Sequence, residues 1–139
     1  MSITLKQNLA IADEKLLAAQ THLLFVLPVG RPENLPFSGA LDAKLKRISK
    51  KYTDLSKGAV VADLPNGAVA SWVVLDVGLS AFKRHTLLRK AIKPLLDEKP
   101  KTLAIAVFGT EEVRKQFAQD AFYVASVNAA ELPERKSVE

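Results

Sequence analysis

The sequence predicts an α/β protein with three layers, in which a mixed β-sheet is flanked by helices. Two apolar, β-branched runs, Val69–Leu75 and Thr102–Phe108, flank a basic amphipathic segment of helical length. This order is typical of a strand-helix-strand unit with parallel strands. Both runs are apolar at nearly every position, so we expect them to be covered on both faces. The Asn-Gly pair at Asn66 and Gly67 predicts an antiparallel hairpin in addition, which makes the sheet mixed.

The first part of the chain supplies two strand candidates. Weak alternation over Ser2–Gln7 predicts a short strand, and the apolar run His22–Leu27 predicts a buried strand. Between them, Ile11–Ala19 has the length of one or two helical turns. The glycine and prolines of Val29–Pro36 then predict a loop.

A helix after this loop is predicted by apolar residues at spacings of four, three and four. These residues are Leu41, Leu45, Ile48 and Tyr52. Beyond Gly58, the run Ala59–Leu64 predicts the first strand of the hairpin. Its second strand begins after Gly67, so the two strands should be antiparallel neighbours.

The basic segment after the hairpin predicts a second helix, with Ser80 as its N-cap. Its inward stripe is predicted to contain Phe82, Leu88, Ile92 and Leu95. Pro94 removes a backbone hydrogen bond from such a helix, so we expect a kink or a break there.

The last helix is predicted to begin after Thr110, a suitable N-cap that is followed by two glutamates. Its inward stripe is Val113, Phe117, Ala121 and Val124. Residues 129–139 lose this periodicity and gain charge and a proline. They predict a linker or tail, which leaves residues 1–128 as one domain.

Composition excludes several classes of protein. The chain has 139 residues, 48% of them hydrophobic, which predicts one domain with a well-filled core. It has no cysteine, so a disulfide framework, a thiolate metal site and a cysteine nucleophile are all excluded. The N-terminus lacks the pattern of a signal peptide, and no apolar stretch approaches the ~20 residues that span a bilayer. We therefore expect a soluble, cytoplasmic protein with no membrane partner.

The net charge of +5 is unevenly distributed. The first basic group comprises Lys44, Lys46, Arg47, Lys50 and Lys51, and the second comprises Lys83, Arg84, Arg89, Lys90 and Lys93. Each is predicted to lie on one helix. They are either solvated helix faces or a basic surface for DNA, for anions or for a neighbouring subunit.

Two loops have the form of weak anion sites, because phosphates often bind where a glycine-containing turn leads into a helix. The candidates are Ser38, Gly39, Gly109 and Thr110. The glutamates at positions 111 and 112 would repel an anion from the second loop. Neither a GxGxxG nor a GxxxxGK[ST] motif occurs in the sequence.

The remaining polar residues predict no active site and no metal site. The two histidines, His22 and His85, lack a metal-ligand spacing and are expected to have structural or surface roles. Asp63 and Asp76 lie near the ends of paired strands, so they face each other, flank a cleft or are ordinary turn residues. No nucleophile or metal cluster accompanies them. Trp72 is predicted to anchor the core.

Several segments, taken together, resemble one known family. They are HLLFVLPVG, LDAKLKRI, GAVVADLPNGAVASWVVLDVG, LRKAIKPLLDEKPKTLAIAVFG and the closing AAELPERK. In their order and their amino-acid sequence, these segments are similar to the N-terminal domain of the leucyl aminopeptidase family (the M17, cytosol-aminopeptidase metallopeptidases). The resemblance implies a macro-domain-like fold, with a mixed sheet between helices.

The resemblance also implies a function. In that family, zinc or manganese ions are held by a separate C-terminal catalytic domain, whose Asn-Thr-Asp-Ala-Glu-Gly-Arg-Leu signature does not occur here. The resemblance therefore implies no catalytic residue, metal ligand or cofactor within these 139 residues. It implies a fragment, or a protein reduced to an accessory domain, with an assembly or regulatory role. The parent enzyme would be a hexamer that removes N-terminal residues from peptides, and some bacterial members of the family bind DNA.

We therefore expect a non-catalytic accessory domain of a leucyl-aminopeptidase-type metallopeptidase. Its expected partners are the catalytic domain, other subunits of a homo-oligomer and DNA. The alternative expectation is a stand-alone, macro-like binding module for ADP-ribose-like ligands or nucleic acid.

Overall fold

The computed structural model describes residues 4–7, 20–33, 35–100 and 102–130. The strands are β1 (Thr4–Gln7), β2 (His22–Leu27), β3 (Val60–Asp63), β4 (Val69–Val74) and β5 (Thr102–Val107). The helices are α1 (Ser38–Arg47), α2 (Ala81–Leu96) and α3 (Glu111–Ala130), with a short 3-10 helix at Tyr52–Ser56. The chain is thus an α/β protein, as its sequence predicts.

The strands form one five-stranded mixed sheet in the order β1-β5-β2-β4-β3. Strands β1, β5, β2 and β4 are parallel, and β3 is antiparallel to β4 at one edge. The predicted strand-helix-strand unit is β4-α2-β5. Its two strands are parallel to each other, as expected, and β2 lies between them.

Helices cover both faces of this sheet, which gives the predicted three layers. On one face, α2 and α3 pack on alternate residues of β2, β4 and β5. On the other face, α1 and the 3-10 helix pack on the intervening residues. Trp72 is fully buried on this second face and stacks on Phe25, with ring centroids 5.5 Å apart. Its predicted role as a core anchor is confirmed.

The predicted hairpin is confirmed. Asp63 pairs with Val69, and the amide of Leu64 donates to the carbonyl of Ala68 at 2.7 Å. Gly67 has φ 89°, a backbone conformation that glycine adopts without a steric penalty. Asp76 follows the far end of β4, where its carboxylate accepts from the amide of Gly78. Asp63 and Asp76 therefore lie at opposite ends of the hairpin, and the interpretation that they face each other is wrong.

Helix α1 ends earlier than the apolar spacing predicts. Leu41 and Leu45 are buried as expected, but Tyr52 lies on the separate 3-10 helix. The cause is a left-handed residue, Ser49, with φ 58°. The amide of Lys50 donates back to the carbonyl of Leu45 at 2.8 Å, as in a Schellman motif. Lys50 and Lys51 of the first basic group consequently lie beyond the helix.

Helix α2 confirms its predicted cap and corrects its predicted stripe. The hydroxyl of Ser80 accepts from the amide of Lys83, while Leu88 is buried. Phe82, however, is 77% exposed. It lies six residues before Leu88, which turns it well away from the inward face of a 3.6-residue helix. The helix also continues through Pro94 to Leu96, so the predicted break does not occur.

Helix α3 agrees with its prediction. The hydroxyl of Thr110 accepts from the amide of Val113 at 3.4 Å. Phe117, Ala121 and Val124 are buried against the sheet. The predicted helical turns at Ile11–Ala19 lie outside the described residues. Helix α3 extends to Ala130, into the tail predicted over residues 129–139, and the rest of that tail lies outside the described residues. Within the described ranges, no helix has the length and apolarity to cross a membrane.

Candidate binding surfaces

The weak anion-site candidates lie at one edge of the sheet. Ser38 and Gly39 are not in a loop, contrary to the prediction, but are the first residues of α1, which the loop after β2 leads into; Gly109 and Thr110 follow β5, the parallel neighbour of β2. Each loop places an aromatic ring next to Phe25. The rings that flank Phe25 are Phe37 and Phe108, and each has its centroid 6.3 Å from that of Phe25. The connection after β2 leads to one face of the sheet and that after β5 to the other. Ligands of α/β sheets bind outside the carboxyl ends of strands at such a point.

The two loops differ in charge. Gly109 has φ 132°, and a Cβ there would lie 2.9 Å from Cγ1 of Val113, so this turn requires glycine. The exposed Glu111 and Glu112 occupy the first turn of α3. Helix α1 has no acidic residue in its first turn, and Phe37, at its N-cap position, makes no side-chain cap. The positive end of the α1 dipole is thus less neutralised than the positive end of the α3 dipole.

The loop after β2 is tied to α1 and to the 3-10 helix by side chains. Arg31 donates two hydrogen bonds to the carboxylate of Asp42, at 2.8 and 2.9 Å. This bidentate hydrogen bond lowers the pKa of Asp42 and raises the pKa of Arg31. The hydroxyl of Tyr52 donates to the carbonyl of Pro28 at 2.6 Å, and burial raises the pKa of Tyr52 to about 12. No sequence pattern points to these contacts, because the partners are far apart in the chain.

The first basic group lies around the C-terminal end of α1. Lys44, Lys46 and Arg47 occupy its last turn. Within the residues that the structure describes, no cation of this group has an ion-pair partner. Two open hollows are lined by residues of both α1 and β3, with volumes of about 450 and 350 Å³, and Lys44 lines both. These cations are therefore available to a partner.

The second basic group lies on α2, on the opposite face of the sheet. Lys83, Arg89 and Lys90 are exposed, whereas Lys93 pairs with Asp97 at 3.4 Å. Arg84 is largely buried and donates from Nε to Asp120 at 2.7 Å. The interpretation of Arg84 as a surface cation is therefore wrong. Since the sheet separates the two groups, they do not form one continuous basic surface.

A polar cluster between α2 and α3 is centred on Asp120, which is 5% exposed. Its carboxylate accepts from Arg84 and also lies 2.9 Å from Nε2 of His85. Arg84 donates to the carbonyl of Leu79 as well. The ring of His85 lies against that of Tyr123, with centroids 5.1 Å apart, beside a hollow of about 190 Å³. The expected structural role of His85 agrees with these contacts. The i, i+4 spacing of Arg84 and Leu88 could have indicated that Arg84 faces inward.

The remaining candidates have ordinary surroundings. His22 lies 2.9 Å from Glu98 and hydrogen bonds to the hydroxyl of Thr21. Among the described residues, no group of three or more His, Cys, Asp or Glu side chains could hold a metal ion.

Comparison with known proteins identifies no relative. The sequence matches no protein-family model, no curated protein and no solved structure. The resemblance to the leucyl aminopeptidase family therefore stays a prediction.

Proposed function

We propose that this chain is the non-catalytic N-terminal accessory domain of a leucyl-aminopeptidase-type metallopeptidase of the cytoplasm. The parent enzyme removes N-terminal residues from peptides with zinc or manganese ions that a separate C-terminal domain holds. The fold supports this proposal, because a mixed sheet between two helical layers is what the resemblance implies. Within the described residues, the segments that carry the resemblance include β2, most of α1, the β3–β4 hairpin, the second half of α2 and β5.

In this proposal the domain provides a binding surface and takes no part in catalysis. The unpaired cations of the first basic group contact another subunit of the homo-oligomer or DNA. All of these cations except the half-buried Lys44 are exposed, and none has an ion-pair partner within the described residues, which supports such a role. Charged rims of this kind steer partners and set the rate of association.

Hydrolysis of leucine p-nitroanilide tests the proposal. The 139-residue chain should show no turnover above buffer with either manganese or zinc added, whereas the product of the complete native gene should hydrolyse it. Turnover by the isolated chain would contradict a non-catalytic role. An inactive complete protein would contradict the peptidase assignment.

DNA binding has its own test. Reversing the charge of Lys46, Arg47 and Lys50 should weaken binding of duplex DNA and reduce the salt dependence of the affinity. The matched control reverses Lys83, Arg89 and Lys90 on the opposite face of the sheet. If the first set of reversals leaves both quantities unchanged, the first basic group does not contact DNA.

A second candidate function is a stand-alone binding module for ADP-ribose-like ligands. The loops after β2 and β5 favour it, since they adjoin at the carboxyl edge of the sheet where the connections diverge. A thermal-shift titration with ADP-ribose tests it. Saturation at a hundred times the Kd would add about 2.7 kcal/mol to the stability. An unchanged melting temperature at millimolar ligand would rule this candidate out.

A further inference from the structure

Strand β3 is an edge of the sheet. It pairs with β4 on one side, and no strand among the described residues pairs with its other side. Such an edge presents unpaired amides and carbonyls, which can accept an added strand. Unlike many natural edges, β3 carries no lysine and no proline within Val60–Asp63.

The register of the hairpin identifies which backbone groups are free. The amide of Leu64 donates to Ala68, so Leu64 and Ala68 form a hydrogen-bonded pair. Hydrogen-bonded and non-hydrogen-bonded pairs alternate along antiparallel strands. Val60 and Ala62 therefore bond to β4, while the amides and carbonyls of Val61 and Asp63 point away from it. The free edge thus offers donors and acceptors at every second residue.

A groove runs along this edge beside α1 and consists of the two hollows that share Lys44. Its apolar lining includes Ile48 and Val60 on the α1 side, and Ala59 and Val61 on the opposite side of the sheet. Its charged lining is Lys44, Arg47, Lys50, Lys57, Asp54 and Asp63. The carboxylate of Asp54 already accepts from the amide of Lys51 at 2.8 Å. The groove therefore has an excess of positive charge beside an unpaired strand.

We propose that this groove binds an extended acidic peptide segment of a partner protein, which adds to β3 as a sixth strand. Side chains of an added strand alternate between the two faces of the sheet. Every second residue of the segment then faces the cations of α1 and should be acidic. The intervening residues lie beside Ala59 and Val61, which are partly buried and apolar, and should be apolar too. This inference does not depend on the proposed function.

The charges argue against a second copy of the chain as the occupant. Antiparallel pairing of β3 with its own copy requires a twofold axis perpendicular to the sheet. That axis would place both α1 helices on the same face, so Lys44 and Arg47 would approach the same residues of the copy. Like charges at such an interface disfavour the complex. An acidic strand has no such repulsion.

Fluorescence anisotropy with synthetic peptides tests the proposal on the 139-residue chain. The probe is a labelled peptide in which Asp alternates with Val and Thr, and its control replaces each Asp with Lys. The acidic peptide should bind and the basic peptide should not. Two further isomers carry N-methyl groups on alternate backbone nitrogens, one on the Asp residues and one on the others. Only one of these isomers should lose binding, because an added strand directs every second amide toward β3.

Protein variants locate the site. The double variant Lys44→Glu with Arg47→Glu should lower the affinity for the acidic peptide by about tenfold or more, and added salt should lower this affinity further. The matched control is Lys83→Glu with Lys90→Glu, an equal change of charge at exposed positions of α2. The control should bind as the unchanged chain does.

Four results would overturn the proposal. Equal affinity for the acidic and basic peptides would exclude charge recognition, and equal affinity for both methylated isomers would exclude strand addition. Equal effects of the two double variants would place the site elsewhere. Single-stranded DNA is an alternative ligand for the groove, and its binding should be measured on the same variants. If DNA binding is lost in the first double variant and the acidic peptide never binds, the groove is a nucleic-acid site and the proposal is wrong.

Discussion

Asp120 shows how a single buried residue connects two helices. It accepts from Arg84 of α2 while lying on α3, and both side chains are almost excluded from water. Burying charged groups is costly, and the cost is offset only when each charge keeps its partners. Removing one member of the pair should therefore cost more stability than the intact pair contributes, because the remaining charge is left buried without a partner.

Asp120→Asn should lower the free energy of unfolding by about 3 kcal/mol, because it leaves the Arg84 guanidinium without its counter-charge. Asp97→Asn is the matched control. It breaks the Lys93 pair, in which the side chains are 72% and 62% exposed, and should cost less than about 1 kcal/mol. Urea denaturation of both variants measures the difference. Equal losses would show that the Asp120 cluster contributes no more than a surface pair.

Tyr52 is a second residue whose contacts should have a measurable effect on stability. Its hydroxyl donates to the carbonyl of Pro28, and burial raises its pKa from the usual 10.0 to about 12. The folded state therefore holds the phenolic proton more tightly than the unfolded state does. The resulting stability is fully present below about pH 10 and is lost as the pH rises through about 12.

Tyr52→Phe should cost about 1 kcal/mol at neutral pH through the lost hydrogen bond. Its difference from the unchanged chain should shrink between about pH 10 and pH 12. Urea midpoints across this range measure that difference. Tyr123→Phe, at an exposed ring, is the control and should change stability by less than about 0.5 kcal/mol. A pH-independent difference for Tyr52→Phe would contradict the burial of its hydroxyl.

At the scale of elements, the turn between β5 and α3 depends on one glycine. Gly109 combines a positive φ with a close approach to Val113. Gly39, inside the first turn of α1, has open space around its Cα and a helical backbone. Alanine at position 109 would therefore be strained and crowded, whereas alanine at position 39 would fit without strain.

Gly109→Ala should destabilise the chain by about 2 kcal/mol or more, since strain of the backbone adds to the contact with Val113. Gly39→Ala should be neutral or should stabilise by up to about 1 kcal/mol, because alanine is the better helix former. Thermal melts of the two variants provide the comparison. If Gly109→Ala is tolerated as well as Gly39→Ala, the turn after β5 does not have the conformation described.

Most elements could be predicted from the sequence because their signals are local. The apolar runs of β2, β4 and β5, the Asn-Gly turn, and the caps at Ser80 and Thr110 each act within a few residues. The end of α1 could not be predicted, since Leu41, Leu45, Ile48 and Tyr52 keep a helical spacing across a turn that Ser49 interrupts. The hydrophobicity of Phe82 predicts burial, but its angular position on α2 turns the ring toward solvent.

At the scale of the whole molecule, the surfaces depend on topology, which the local patterns do not contain. The sequence shows two basic groups but not that the sheet separates them. It shows the strand β3 but not that this strand is an edge beside α1. The contacts of Arg31 with Asp42, and of Arg84 with Asp120, join residues far apart in the chain. Local sequence patterns therefore predict the layers of this protein, whereas the arrangement of its surfaces follows from the topology.

The molecule as a whole is proposed to be one domain of a larger metallopeptidase. Reading the native gene beyond the codon for Glu139 tests this claim most directly. The account predicts that the frame continues into a domain with the Asn-Thr-Asp-Ala-Glu-Gly-Arg-Leu metal-binding signature. A stop codon directly after Glu139 would contradict it.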